Sequence, residues 1–154
     1  MGNFHRKDRI LILGALALGL LSAGPVVANE IAQIKTADGT VLIERGSQRI
    51  LAVAGTGLQQ SDVIRTGING SAGITFPDNT ILSAGPGSVI ALDRYAYNAA
   101  THKGRLDASV YNGTLSVVSG KIAKQSPDAM KVRTPATILG VRGTEFFVQV
   151  GEGK

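Results

Sequence analysis

Four aspartates punctuate the interior of this chain: Asp62, Asp78, Asp93 and Asp107. Clustered on one face, such carboxylates could hold calcium or run acid–base chemistry on a glycosidic bond. Here they stand singly, mostly beside turn-forming residues, and read as solvated turn and capping acids. His102 is the only histidine after His5, which excludes a multi-histidine metal site downstream of the N-terminus. Serine, histidine and aspartate all occur, but no G-x-S-x-G elbow presents a nucleophile. There is no cysteine, so thiolate catalysis, disulfides and cysteine-ligated zinc are excluded. Gly67, Gly70 and Gly73 recur every third residue without a helical pattern after them, so they do not form a dinucleotide fingerprint. Asn69-Gly70-Ser71 and Asn112-Gly113-Thr114 are formal glycosylation sequons that read as turns. The residues therefore predict a non-enzyme, with no catalytic residue, cofactor or metal.

Arg142-Gly143-Thr144 carries the other candidate chemistry. A guanidinium fork beside a glycine can take an anion or a partner's carboxylate. The competing reading is a corner lock, with Arg142 donating to carbonyls of an adjacent strand.

The elements that must position these groups are strands. Ala72, Ile74 and Phe76 alternate with Ser71, Gly73 and Thr75, and Phe146, Val148 and Val150 alternate with Glu145, Phe147 and Gln149. A period of two buries one set and leaves the other to water. Strands are predicted near 31–35, 41–45, 50–53, 62–66, 71–76, 80–84, 88–92, 105–111, 114–119, 130–133 and 144–150. Turn chemistry separates the runs, including Asp38-Gly39, Pro77-Asp78-Asn79, Gly85-Pro86-Gly87 and Asn112-Gly113. Asn112-Gly113 reads as a two-residue hairpin or a tight corner. Residues 95–104 read as an exposed polar loop. The 20 glycines and 18% charged residues argue against a helical bundle. The fold expected is all-β, β-solenoid-like with twisted, irregular coils of short strands; the alternative is a β-sandwich or jelly roll.

Residues 1–28 read as an export signal. His5-Arg6-Lys7-Asp8-Arg9 precedes twelve apolar residues, Ile10 to Leu21, and Val26-Val27-Ala28 fits a cleavage site before Asn29. The alternative is an uncleaved inner-membrane anchor facing the periplasm, since Ile10 to Ala28 is 19 residues without a charge. In both readings residues 29–154 lie outside the cytoplasm, because the basic residues stay inside. The formal charge is +5, and without the first nine residues thirteen basic residues face ten acidic ones. That mild, scattered excess and 5% aromatics argue against nucleic-acid binding.

The most distinctive stretch runs from Lys131 to Val148, KVRTPATILGVRGTEFFV. Pro135 fixes its own φ and pushes Thr134 to an extended conformation, while Gly140 and Gly143 bracket Val141-Arg142. This stretch resembles the hallmark of the FecR domain family, which ends in a V-x-T-P-x-A … V-R-G-T-x-F-x-V pattern. The resemblance extends upstream through Leu58, Asp62, Ile64, Thr66, Gly67, Ser71, Ala72, Ile74, Phe76, Asp78, Thr80, Leu82, Gly87 and Ser88. Two departures are Ser61 and Asn79, where the family usually has glycine; asparagine also tolerates the left-handed conformation. The motif residues Thr134, Pro135, Gly140, Val141, Arg142, Gly143, Thr144 and Phe146 are expected to be structural and to serve partner binding.

The resemblance implies an extracytoplasmic, mostly β domain of a family whose founding members relay a signal from an outer-membrane receptor to a cytoplasmic sigma factor. Only nine residues precede the apolar run, so the expectation is a free-standing periplasmic FecR-like domain without the sigma-binding region. Its expected role is contact with a protein partner in the periplasm or envelope, in sensing or signalling. The alternative is binding of an anionic envelope polysaccharide or peptidoglycan through Arg94, Lys103, Arg105, Lys121 and Lys124.

Overall fold

The computed structural model describes residues 29–143 and 145–151. The export signal read in residues 1–28 lies outside them, as does Thr144. No helix among the described residues is long and apolar enough to cross a membrane. The described residues form twelve strands, most of them on the period-two runs. These are β1 (Glu30–Asp38), β2 (Val41–Arg45), β3 (Gln48–Leu51), β4 (Gly57–Gln59), β5 (Val63–Thr66) and β6 (Ser71–Thr75). They continue with β7 (Ile81–Ala84), β8 (Val89–Tyr97), β9 (Gly104–Val118), β10 (Met130–Arg133), β11 (Ile138–Gly140) and β12 (Glu145–Val150). A short helix, α1 (Lys121–Gln125), and a 3-10 turn at Pro127–Ala129 connect β9 to β10.

The strand β9 organises the molecule. It has 15 residues and belongs to both halves of the sheet. Its first part, to Asn112, lies between β8 and β10, in the half ordered β3-β2-β5-β8-β9-β10-β11. Its second part lies between β7 and β12, in the half ordered β12-β9-β7-β6-β1-β4. Asn112-Gly113 is thus the corner where one strand passes between the halves, not a hairpin. Gly113 has φ +86°, and a Cβ there would run into Oγ and Cα of Ser88. Ser88 Oγ fastens this corner by accepting from Thr114 N (3.0 Å) and donating to Thr114 O (3.1 Å).

The sheet curls around one core. Alternation fills it: Ile74 and Leu82 are directly opposed across β6 and β7, and both are fully buried. Burying each such side chain contributes about 1.5–3 kcal/mol. The all-β class therefore stands. The solenoid expected with it is not seen: among the described residues ten of the eleven strand ladders are antiparallel, and only β9–β10 is parallel. A solenoid stacks its coils through parallel pairing, whereas this chain mostly turns back on itself through tight corners.

Three further differences have physical causes. The loop expected at 95–104 shrinks, because β8 runs on to Tyr97 and β9 starts at Gly104. Tyr95 alternates into the interior and packs on Phe76, with ring centroids 4.9 Å apart. The strands β4 and β11 have three residues each, too short to show a period. Helix α1 has no local side-chain cap, and its cap comes from a distant residue, Asp78.

Candidate functional site

The aspartates are placed differently from their sequence reading. Asp62, Asp78 and Asp107 are buried, not solvated. Asp62 follows the β4 turn and receives Arg45 in a two-point pair, Nε to Oδ1 at 2.9 Å and Nη2 to Oδ2 at 2.7 Å. Gln59 N also donates to it at 2.8 Å. That pairing holds the Arg45 guanidinium above its ordinary range; the hydrogen bond to Asp62 is the main cause and burial opposes it.

Asp78 sits in the β6–β7 turn and ties three elements together. Its carboxylate accepts from Thr80 Oγ1 (2.6 Å), Thr80 N (3.3 Å), Tyr95 Oη (3.3 Å) and Ile122 N (3.2 Å). Its carbonyl accepts from Lys121 N at 2.8 Å, so Asp78 caps α1 from across the fold. Burial pushes the Tyr95 phenol well above its usual range, and the Asp78 charge adds to the shift. Asn79 takes φ +68° in the same turn, as its tolerance of the left-handed region predicts.

Asp107 accepts from Arg105 Nε at 2.7 Å, and half-buried Asp93 accepts from Ser109 Oγ at 2.5 Å. Each acid thus has its own partners, and among the described residues no three His, Cys, Asp or Glu side chains converge on a metal-sized site. His102 is exposed at φ +56° with its ring stacked on Tyr97. Of the basic residues singled out in the sequence, Arg94 and Arg105 lie on strands β8 and β9, while Lys103 is in the loop and Lys121 and Lys124 are on α1.

The C-terminal motif forms the rim of the molecule. Thr134 closes the β10–β11 turn: its Oγ1 accepts from Thr137 N at 3.1 Å, and its N–H donates to Thr137 O at 2.8 Å. Pro135 and Ala136 project to solvent in that turn. Val141 is buried, and its amide donates to Met130 O at 3.1 Å. Gly143 has φ +110° and its carbonyl accepts from Ser119 Oγ at 2.5 Å. Gly140 needs no glycine: its φ is not positive, and a Cβ would meet nothing. Phe146 packs half-buried against the core. Arg142 is exposed, and among the described residues its guanidinium has no hydrogen-bond or ion-pair partner. The corner is therefore locked by Ser119 rather than by Arg142. Thr144 falls outside the described residues.

Three surface features were not legible in the sequence. The first is apolar. Phe147 on the edge strand β12 is 64% exposed, and Ile81 and Val118, opposed across β7 and β9, share its face. The second is a cleft of about 660 Å³ over Tyr111 and Asn112, walled by Thr134–Ala136 and the end of β12. A smaller one of about 310 Å³ adjoins it and is lined by Ser109, Tyr111, Arg133 and Pro135. The third is a basic outer face across β2, β3, β5, β8, β9 and β10. Alternation and register gather Arg49, Arg65, Arg94, Arg105, Lys131 and Arg133 there, against Glu44, Asp93 and Asp107.

Together the fold and these sites define an all-β domain whose interior carboxylates serve its own turns and whose distinctive groups lie on its surface. A family profile described as FecR protein matches residues 62–154, more than half of the chain, and the chain belongs to the FecR family. That family is typically regulatory and non-catalytic. No curated protein and no solved structure matches the chain.

Proposed function

We propose that the protein is an exported, non-catalytic FecR-like domain that works by contacting a protein partner in the periplasm or envelope, in sensing or signalling. Export rests on the charged and apolar run of residues 5–28. Contact rests on one observation above the others: Phe147, 64% exposed, on a strand paired on one side alone. Edge strands offer unpaired backbone groups, and soluble proteins ordinarily blunt them with charge. Here Glu145 is the one charged side chain at the outward positions of β7, β12 and the second part of β9, among the described residues. Ser83, Ser116, Thr114 and Gln149 surround the apolar group. A weakly charged face with an aromatic at its rim fits an interface core.

Affinity capture from periplasmic extract tests this. The wild-type protein is expected to retain a discrete partner that Phe147→Glu loses, with the circular dichroism of the two unchanged. Capture of the same partner by both proteins, or of none by either, would overturn the reading.

A further inference from the structure

We infer that the basic outer face carries a second, separate binding site, which takes a carboxylate-bearing polysaccharide chain at β8–β9–β10 beside Tyr111. The ladders fix which residues meet there. Asp107 of β9 is flanked by Arg94 on β8 and Lys131 on β10, and Ser109 is paired with Arg133. The acids on this face have partners of their own: Arg105 holds Oδ2 of Asp107, whose Oδ1 is buried without a hydrogen-bond partner among the described residues, Ser109 holds Asp93, and Arg49 and Arg65 share Glu44. Arg94, Lys131 and Arg133 have no ion-pair partner among the described residues. Strands lie about 4.8 Å apart, which sets Arg94 and Lys131 roughly 10 Å from each other across β9. Three unpaired cations on a rigid sheet call for an extended anion rather than a point charge. Arg94 and Arg133 add the forked geometry suited to carboxylate.

The ring chemistry comes from the adjoining cleft. Tyr111 is 56% exposed and stands between the two hollows. The smaller hollow, about 310 Å³, has Tyr111, Arg133, Ser109 and Thr134 on its walls, and it lies at the lower end of the ~300–1,000 Å³ range of small-ligand sites. Asn112 and Gln149 line the larger one. An exposed aromatic surface ringed by amides and hydroxyls beside a guanidinium suits a saccharide ring, which has apolar faces, a hydroxyl rim and a carboxylate. An acidic peptide would use the cations but would leave the Tyr111 hollow without a matching ring. Of these residues Gln149 alone also stands on the Phe147 face; Tyr111, Arg94, Lys131 and Arg133 lie off it, so variants at Tyr111 and Arg133 test this site apart from Phe147.

The test uses the whole protein with three probes: polygalacturonate, neutral dextran and polyglutamate. Polygalacturonate is expected to bind, dextran is not, and affinity should fall about tenfold or more from low to high salt as the charges are screened. Tyr111→Ala and Arg133→Gln change exposed side chains, so both variants should fold. Arg133→Gln should weaken polygalacturonate binding about tenfold, the equivalent of one well-formed charged contact. Tyr111→Ala should weaken polygalacturonate and leave polyglutamate binding alone. No binding of polygalacturonate by the wild-type protein at low salt would overturn the inference. So would equal binding of polyglutamate with no effect of Tyr111→Ala, which would reassign the face to an acidic protein segment.

Discussion

At the scale of single residues, the buried aspartates decide the local geometry. Asp78 has no exposed surface and satisfies donors from the β6–β7 turn, β8 and α1. Truncating it strands several buried donors, each worth about 1–3 kcal/mol when unsatisfied. Asp78→Ala is expected to cost about 3–5 kcal/mol in a urea melt, with early loss of the α1 contacts by hydrogen exchange. Ser61 is the opposite case. It sits at φ +72° with its amide bonded to Leu92 O at 2.7 Å, where the resembled pattern has glycine. A left-handed L-residue costs about 1–2 kcal/mol, and the greater chain entropy of glycine offsets about half of that. Ser61→Gly should therefore raise stability by up to about 1 kcal/mol, read as a higher urea midpoint at constant slope.

At the scale of elements, β9 and its corner carry the architecture. Residues 104–112 and 113–118 are two strands in pairing but one in covalent structure. Gly113 permits the passage, since any side chain would meet Ser88 with its backbone already at φ +86°. Gly113→Ala should cost roughly 2–4 kcal/mol, combining the left-handed penalty with overpacking. Gly140→Ala, an exposed strand position with open space around it, should change stability by no more than about 0.5 kcal/mol. The pair separates a glycine the fold requires from a motif glycine it does not, and urea titration of both variants reads the difference.

Across the whole molecule, one shared strand couples the two halves of the sheet. Neither half can keep its order if β9 leaves, so unfolding should be a single cooperative transition. Far-ultraviolet dichroism and tyrosine fluorescence should give coincident urea curves, while two separated transitions would mean the halves fold independently. Native-state hydrogen exchange should be slowest in β9 at 106–109 and 115–118, where it is paired on both sides, and fastest in the edge strands β3, β4, β11 and β12. The same construction gives the molecule two unlike outer surfaces, one basic around Arg94, Lys131 and Arg133 and one nearly uncharged around Phe147.

Much of this was legible in the chain before any coordinate. The alternation around Ile74 and Val148 names the inward residues correctly, and both are buried. The Asn79 turn and the C-terminal motif were readable because turn chemistry acts over a few residues. The strands β4 and β11 were not, being too short for a period, nor was α1, whose cap lies 44 residues upstream. The acids were misplaced for the same reason. An aspartate beside a turn looks solvated until a partner such as Arg45, 17 residues away, or Tyr95 closes over it.

The sequence by itself determined the all-β class, the membership of the FecR family and the positions of the sharp corners, since these depend on neighbours within one or two turns of chain. The tertiary structure alone decided that the sheet curls through β9 instead of stacking in coils, which carboxylates are buried, and which scattered cations share a face. Those outcomes depend on strand register and partner choice, and pairing energies are set by residues far apart in the chain, which no local pattern encodes.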